Sequence, residues 1–225
     1  MNAIQTIWNG LNWSVPMELL LGVIPALLCI TLHELSHGYV AWCLGDTTAK
    51  NMGRLTLNPV KHIDWFGLIM MIGFKFGWAK PVPVNMNRFQ NPKRGMALTA
   101  LAGPACNVLL SCVFLFLYGV LFIPLKGTGI ILETVYLTAY LSLSLAVFNL
   151  LPIPPLDGSK VLFSLLDTRR YYQLMCYERY GMLLLLLLLA TGVLRTPLSG
   201  SVSWLFDRLF AVAELGFEIV RKIVM

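Results

Sequence analysis

Charged residues are scarce in this sequence, and their scarcity decides the class of protein before any motif does. Of its 225 residues only 12% are Asp, Glu, Lys or Arg, whereas 57% are hydrophobic. A soluble domain carries about 25% charged residues. The composition therefore excludes a large soluble domain and predicts a polytopic membrane protein whose partner is the lipid bilayer.

Other absences narrow the function. None of the five cysteines forms a CxxC pair, so neither a disulfide framework nor a thiolate metal site is expected. Residues 1–16 contain no Lys or Arg, so no secretory signal with a charged n-region is visible. The net charge of +6 comes from basic residues scattered over short loops. That distribution favours charges that orient a membrane protein, and no nucleic-acid partner is expected.

Uncharged runs predict about four transmembrane helices. The spans are residues 19–44, 95–125, 134–156 and 180–194, and the last is short for the roughly 20 residues that a crossing needs. Between the first two spans, the apolar stretch Trp65–Phe74 is too short to cross. It predicts a re-entrant β-hairpin or short sheet within residues 52–85. The expected fold is therefore an all-α polytopic membrane protein with one short β element.

The C-terminal residues form a separate pattern. Charged residues recur at helical spacing between Asp207 and Arg221, and apolar residues fall on the opposite face. This pattern predicts an amphipathic helix that lies at the membrane surface. The expected organisation is a membrane-embedded domain over residues 1–195 and an amphipathic helix over residues 196–225.

Loop charges predict how the chain is oriented. Of the 17 Lys and Arg residues, twelve lie in residues 45–95 and 157–179, whereas the loop after the second span holds only Lys126. The positive-inside bias puts both basic segments in the cytoplasm. Four spans then place the C-terminal helix outside. If residues 180–194 are re-entrant instead, that helix lies in the cytoplasm, which suits its basic residues better.

One motif interrupts the first apolar run. Residues 33–38 read His-Glu-Leu-Ser-His-Gly, and the HExxH pattern is typical of zinc hydrolases. On a helix, His33 and His37 project from one face and can bind one metal ion. Glu34 is offset by one residue and can act on water as a general base. Ionisable side chains at such depth are costly, so the cluster predicts a functional site near the cytoplasmic side.

The third metal ligand has several candidates, because a catalytic zinc site usually takes three from the protein. Asp46, His62 and Asp64 follow the first span in a loop, where an exposed side chain is the simpler interpretation. Asp157 follows the proline-rich end of the third span, at the predicted depth and side of the histidines. It is the preferred ligand, although a plain helix-ending Asp-Gly turn stays open as an interpretation.

These motifs together resemble the site-2 protease family of intramembrane zinc metalloproteases. The resemblance covers about residues 26–165 and rests on five motifs, namely His-Glu-Leu-Ser-His-Gly at 33–38, Leu-Asn-Pro at 57–59, Lys-Pro-Val-Pro-Val-Asn at 80–85, Ala-Gly-Pro-Ala-Cys-Asn at 102–107, and Asn149 eight residues before Asp157. The resemblance also implies a minimal prokaryotic form, since no loop is long enough for the PDZ domain that some members carry.

Roles for individual residues follow from this resemblance. It implies that one Zn²⁺ per chain is bound by His33, His37 and Asp157. It further implies that Glu34 is the catalytic base and that Asn149 is a second catalytic residue, which positions the substrate backbone or stabilises the oxyanion. Two more asparagines, Asn85 and Asn107, are candidates for substrate binding.

The expected function is cleavage of peptide bonds in membrane-embedded or membrane-proximal protein segments, near the cytoplasmic face. The resemblance implies the cell membrane (the inner or plasma membrane) of a prokaryote as the location and a membrane protein as the substrate. A non-proteolytic membrane protein that binds metal, either a transporter or a pseudoprotease scaffold, is the alternative. No pattern in the sequence sets the oligomeric state.

Overall fold

The fold consists mainly of helices. The computed structural model describes residues 14–67 and 79–224, with side chains from residue 21 onward except at 176–179. The helices of eight or more residues are α1 (Ser14–Cys43), α2 (Pro92–Phe122), α3 (Ile130–Asn149), α4 (Asp157–Ser164), α5 (Thr168–Ala190), α6 (Arg195–Leu209) and α7 (Ala211–Val224). Three single turns of helix, Thr48–Asn51, Pro59–His62 and Met86–Arg88, lie between α1 and α2.

Three of these helices are long and apolar enough to cross a membrane: Leu21–Cys43 within α1, Pro92–Phe122 and Ile130–Asn149. Helix α5 bends by 69° between Thr168–Met175 and Tyr180–Ala190, and its two arms are long and apolar enough for a fourth span only when they are counted together. The predicted class, a mostly helical membrane protein, is confirmed with three candidate spans. The predicted fourth span corresponds to the second arm of α5.

The predicted β element is not seen where the structure describes the segment. Residues 68–78, which include much of the proposed hairpin, lie outside the described residues. Of the remainder of 52–85, residues 65–67 are helical and residues 80–85 are without regular structure. A single antiparallel bridge joins Ile63 to Ala79, and no strand occurs in residues 14–67 and 79–224.

Local sequence explains where the helices begin and end. The Asn91 side chain accepts a hydrogen bond from the Arg94 N–H, and Pro92 occupies the first turn, so α2 begins there. Helix α3 begins after Gly129, whose φ of 112° favours glycine. It ends at Asn149, just before the proline-rich residues 152–155.

The core lies between α2, α3 and the C-terminal helices. Leu115, Leu143 and Phe206 form its buried centre together with Ala139 and Ala213. Helix α7 approaches α2 closely, since a Cβ on Gly119 would lie 1.9 Å from the Ala213 carbonyl oxygen. Residues 195–224 form two helices, α6 and α7, with a break at Phe210. The interfacial position of their amphipathic part stays a prediction.

Candidate metal centre

Two helices meet at a buried cluster of three metal-binding side chains. His33 and His37 lie on α1, Asp157 is the first residue of α4, and all three are at most 8% exposed. The Asp157 Oδ2 atom lies 3.2 Å from His33 Nε2 and 3.1 Å from His37 Nε2. The structure therefore brings together the three residues that the sequence singled out as metal ligands, across 124 positions of the chain in the case of His33 and Asp157.

A tight turn delivers Asp157 to the histidines. After α3 ends at Asn149, the proline-rich residues 150–156 reverse the chain, and α4 begins at once. Gly158 allows this return, because a Cβ there would lie 2.2 Å from the Leu150 carbonyl oxygen. The proline residues cannot continue the helix and Gly158 has no side chain to clash, so together they set the aspartate beside α1.

The His37 ring is oriented by a backbone group on α2. Its Nδ1 lies 2.7 Å from the carbonyl oxygen of Thr99. Because a carbonyl oxygen only accepts hydrogen bonds, Nδ1 carries the hydrogen, and in the neutral ring Nε2 presents its lone pair to Asp157. This is the tautomer that binds a metal ion through Nε2.

The donor set fits a bound metal ion. Carboxylate and imidazole lone pairs that face each other within a buried site repel unless a cation lies between them. A tetrahedral site with ligand bonds of about 2.0 Å separates its ligand atoms by about 3.3 Å. The observed separations of 3.1 and 3.2 Å are close to that value. Two nitrogens and one oxygen are also a common ligand set for catalytic zinc.

Asn107 contacts the other histidine and is completely buried. Its amide nitrogen lies 3.2 Å from His33 Nδ1, and among the described residues its Oδ1 has no hydrogen-bond partner. The two ends of an amide have nearly the same shape, so either can face His33 Nδ1; with the amide turned over, Oδ1 accepts from an Nδ1–H. His33 then also presents Nε2 with a lone pair. The Asn107 backbone carbonyl accepts from Ser142 Oγ at 2.8 Å, which fixes α2 against α3 here.

Residues 80–85 run past the cluster and are called the 80–85 segment. The Glu34 carboxylate accepts a hydrogen bond from the Val82 N–H at 2.9 Å, so the predicted base is oriented by this segment. The Arg54 side chain donates to the Lys80 carbonyl oxygen at 2.7 Å. Asp46 accepts from the Asn85 N–H at 2.6 Å. Three side chains that follow or belong to α1 thus hold the segment against that helix.

Asp46 and Asn85 have structural contacts in this arrangement. Asp46 was expected to be exposed, but it is fully buried and also accepts from the Thr48 N–H. Burial raises the pKa of Asp46, and hydrogen bonds from Thr48 and Asn85 together with Arg88 lower it below its ordinary value. The Asn85 side chain accepts from the Asn87 N–H and begins the turn Met86–Arg88. Its predicted role in substrate binding stays a prediction.

Two cavities adjoin the cluster, and His33, Glu34 and Asn149 line both of them. The first has a volume of about 250 Å³ and extends toward Pro59–Asp64 and α5. The second, about 320 Å³, lies between the metal cluster and the 80–85 segment. Asn149 donates to the Leu145 carbonyl oxygen at 2.9 Å, which leaves its second amide hydrogen available. Neither Asn85 nor Asn107 is among the described residues that line these cavities.

Several groups beside the metal cluster were not among the site residues predicted from the sequence. Lys160 lines the second cavity with its Nζ 3.9 Å from Asp157 Oδ1, and its position one helical turn after the aspartate was the available signal. The Thr99 carbonyl and the Val82 N–H are backbone groups that carry no sequence signal. Gly103 faces the imidazoles, since a Cβ there would lie 2.5 Å from His37 Nε2 and 2.7 Å from His33 Cε1.

Comparisons with known proteins identify a peptidase family and relatives named as zinc metalloproteases. The family model described as Peptidase family M50 matches residues 124–190. Three curated relatives are named "Putative zinc metalloprotease". YwhC of Bacillus subtilis is 39% identical, and the match covers 81% of this chain and 83% of YwhC. Rip2 of Mycolicibacterium smegmatis is 30% identical over 80% of this chain and 71% of Rip2, and MJ0611 of Methanocaldococcus jannaschii is 47% identical over 71% of this chain and 78% of MJ0611. No solved structure gives a significant match.

The helical membrane fold and the His-His-Asp cluster beside a glutamate define a membrane metalloprotease. More specifically, the chain belongs to peptidase family M50, the site-2 protease family. The family resemblance found in the sequence is thereby confirmed.

Replacement of Gly103 by alanine tests the close approach of α2 to the imidazoles. The added Cβ would collide with both rings, so Gly103→Ala is expected to bind metal at least 10-fold more weakly than the wild type. The measurement is metal content after dialysis against a graded chelator. Gly22→Ala is the control, because a Cβ at this helical glycine meets nothing within 4 Å. Equal metal retention by the Gly103 variant and the wild type would contradict the packing described here.

Proposed function

We propose that this protein is an intramembrane zinc protease that cuts membrane-embedded or membrane-proximal segments of other proteins near the cytoplasmic face. The observation that carries the proposal is a buried cluster of two imidazoles and one carboxylate, with Glu34 in the walls of two adjoining cavities. Ionisable groups buried in a membrane protein are costly and mark function. A chain that bound metal for transport would need no base held beside the metal ligands.

His33, His37 and Asp157 would hold one zinc ion. When bound, zinc would supply a Lewis acid that polarises the scissile carbonyl and makes water more acidic. The metal-binding tautomer of each histidine is supported by its second nitrogen, which contacts the Thr99 carbonyl for His37 and Asn107 for His33. Lys160 lies on the far side of Asp157 and helps to keep the carboxylate ionised.

Glu34 would act as the general base and then as the general acid. Its Oε2 is engaged by the Val82 N–H, which leaves Oε1 to accept a proton from the attacking water. The same oxygen can pass that proton to the leaving amine nitrogen as the peptide bond breaks. The free amide hydrogen of Asn149 can donate to the oxyanion that develops on the substrate carbonyl.

The substrate must present an extended backbone at this site. A transmembrane helix keeps its peptide groups hydrogen-bonded internally, so a segment has to unwind before water can attack a carbonyl. The 80–85 segment lies beside Glu34, is held in place by Arg54, Glu34 and Asp46, and lines the second cavity with Val82 and Val84. An unwound substrate can add to it as a neighbouring strand.

The proposed topology has four spans, with residues 180–194, which begin with the second arm of α5, as the fourth. Residues 1–195 would form the membrane-embedded protease domain and residues 196–225 an amphipathic C-terminal part. The basic segments 45–95 and 157–179 would lie in the cytoplasm of a prokaryotic cell, which places the metal cluster toward that face of the cell membrane. The partners would be the lipid bilayer and a membrane protein substrate.

Glu34→Gln tests the catalytic mechanism. The amide keeps the shape of the side chain and cannot take a proton, so cleavage of a transmembrane substrate in detergent should fall by at least 100-fold, while the zinc content stays at one per chain. The measurements are mass-spectrometric detection of the products and metal analysis of the same sample. Asp157→Ala is the companion variant and should lose both zinc and cleavage. Equal cleavage by Glu34→Gln and the wild type would refute the mechanism.

Asn107 and Asn149 allow a matched comparison, because both are asparagines near the cluster with different proposed tasks. Asn107→Leu removes the support of His33 and should weaken zinc binding about 10- to 100-fold. Asn149→Leu should leave zinc affinity unchanged and lower kcat, because only an oxyanion contact is lost. Competition with a zinc indicator gives the affinities, and single-turnover cleavage gives the rates. The reverse pattern would exchange the two assignments and overturn both.

A further inference from the structure

The first cavity contains a histidine that the metal site does not use. His62 is only 1% exposed, although the sequence suggested a loop histidine in solvent. Its Nε2 lies 2.9 Å from the carbonyl oxygen of Thr56, and its own carbonyl oxygen accepts from the Lys80 N–H. The ring is therefore fixed between the loop after α1 and the start of the 80–85 segment.

The fixed ring has one nitrogen without a hydrogen-bond partner among the described residues. Because the Thr56 carbonyl only accepts, Nε2 of His62 carries the hydrogen, and Nδ1 of the neutral ring is an acceptor. This Nδ1 is buried and has no hydrogen-bond partner in the part of the chain that is described. Thr31, which is 4% exposed, likewise has a buried hydroxyl without a partner there. A buried acceptor left unpaired costs about 1–3 kcal/mol, so the position calls for a hydrogen-bond donor.

His62 and Thr31 both belong to the wall of the 250 Å³ cavity that His33 and Glu34 also line. Most of the remaining wall is apolar and includes Leu27, Phe148 and Leu185. An apolar cavity with a few polar groups at fixed positions is the usual form of a site that binds part of a ligand. Its volume suits one residue with a large apolar side chain together with its peptide group.

We propose that this cavity binds the substrate residue next to the scissile bond, and that His62 Nδ1 accepts a hydrogen bond from a substrate peptide N–H. This inference rests on the proposed protease function. An unwound segment has lost the helical partners of its N–H groups, and an apolar environment makes each unpaired group costly. His62 replaces one such partner at the site of cleavage. The Thr31 hydroxyl can donate to a carbonyl of the same stretch.

Two substitutions separate the roles of the two ring nitrogens, namely the hydrogen bond from Nε2 to the Thr56 carbonyl, which anchors the ring, and the acceptor at Nδ1. A glutamine amide can occupy the position of Nε2, so His62→Gln keeps a donor to the Thr56 carbonyl and loses the acceptor at Nδ1. An asparagine oxygen can occupy the position of Nδ1, so His62→Asn keeps the acceptor and loses the anchor. We expect His62→Gln to lower kcat/KM about 10-fold with unchanged zinc content. His62→Asn should retain more activity than His62→Gln while melting at a lower temperature.

The probe is a synthetic single-span peptide with lysines at both ends, in which each peptide bond near the mapped cleavage site is replaced in turn by an ester. An ester has no N–H, so the substitution at the bonded position should lower wild-type kcat/KM about 10-fold. In His62→Gln the same ester should cost less than about 2-fold, since its partner is already gone.

The outcomes distinguish this inference from the proposed function. If the wild type cuts the probe and no ester position depends on His62, the inference is overturned while the protease function stands. If the wild type and Glu34→Gln both leave the probe intact at every peptide bond and in every detergent tried, the protease function itself fails. If His62→Gln loses zinc, His62 supports the metal site and the proposed hydrogen bond to substrate is wrong.

Discussion

The close approach of Asp157 to two histidines is the contact on which the rest of the site depends. One carboxylate oxygen lies within 3.2 Å of imidazole nitrogens on another helix, in a setting with little solvent. The carboxylate oxygen and the imidazole nitrogens all present lone pairs and repel one another unless a cation lies between them. A metal ion is the cation that suits these ligand atoms best. A metal ion bound there would couple α1 to α4 and would contribute to the stability of the fold as well as to its chemistry.

The neighbouring elements are shaped by this contact. Helix α2 approaches closely enough for the Thr99 carbonyl to orient His37, and Gly103 makes the approach possible because it has no side chain. The 80–85 segment lies on the other side, where Val82 orients Glu34. The His-His-Asp cluster, Glu34 and the 80–85 segment thus all line the second cavity, and a peptide that entered it would meet all three at once. Pre-organisation of this kind is how an enzyme places charge before the reaction begins.

The three side chains of the buried cluster could be predicted from the sequence, and much of their surroundings could not. Helical periodicity puts His33 and His37 on one face, and the proline-rich end of a span marks Asp157, so these residues carry visible signals. The Thr99 carbonyl and the Val82 N–H are backbone groups that any residue type supplies. The burial of His62 depends on contacts with Thr56 and Lys80, which only the folded chain brings together.

The fold, like the site, could be predicted from the sequence only in part. Composition and apolar runs predict the helical membrane class and the three long spans, because the bilayer imposes length and hydrophobicity on each crossing. The bend in α5 and the break between α6 and α7 at Phe210 are not marked by any change in the apolar runs. The contact of α7 with Gly119 is a tertiary contact, and the amphipathic periodicity of the sequence does not predict it.

X-ray absorption at the zinc edge of the purified full-length protein tests the central claim most directly, because it reports the ligand atoms themselves. The account predicts that two imidazole nitrogens and at least one carboxylate oxygen bind the metal. It also predicts that no sulfur lies at the Zn–S distance of about 2.3 Å. Asp157→Ala should remove this spectrum together with the bound zinc. A sulfur ligand, or fewer than two imidazoles in the wild-type spectrum, would contradict the claim that His33, His37 and Asp157 form the metal site.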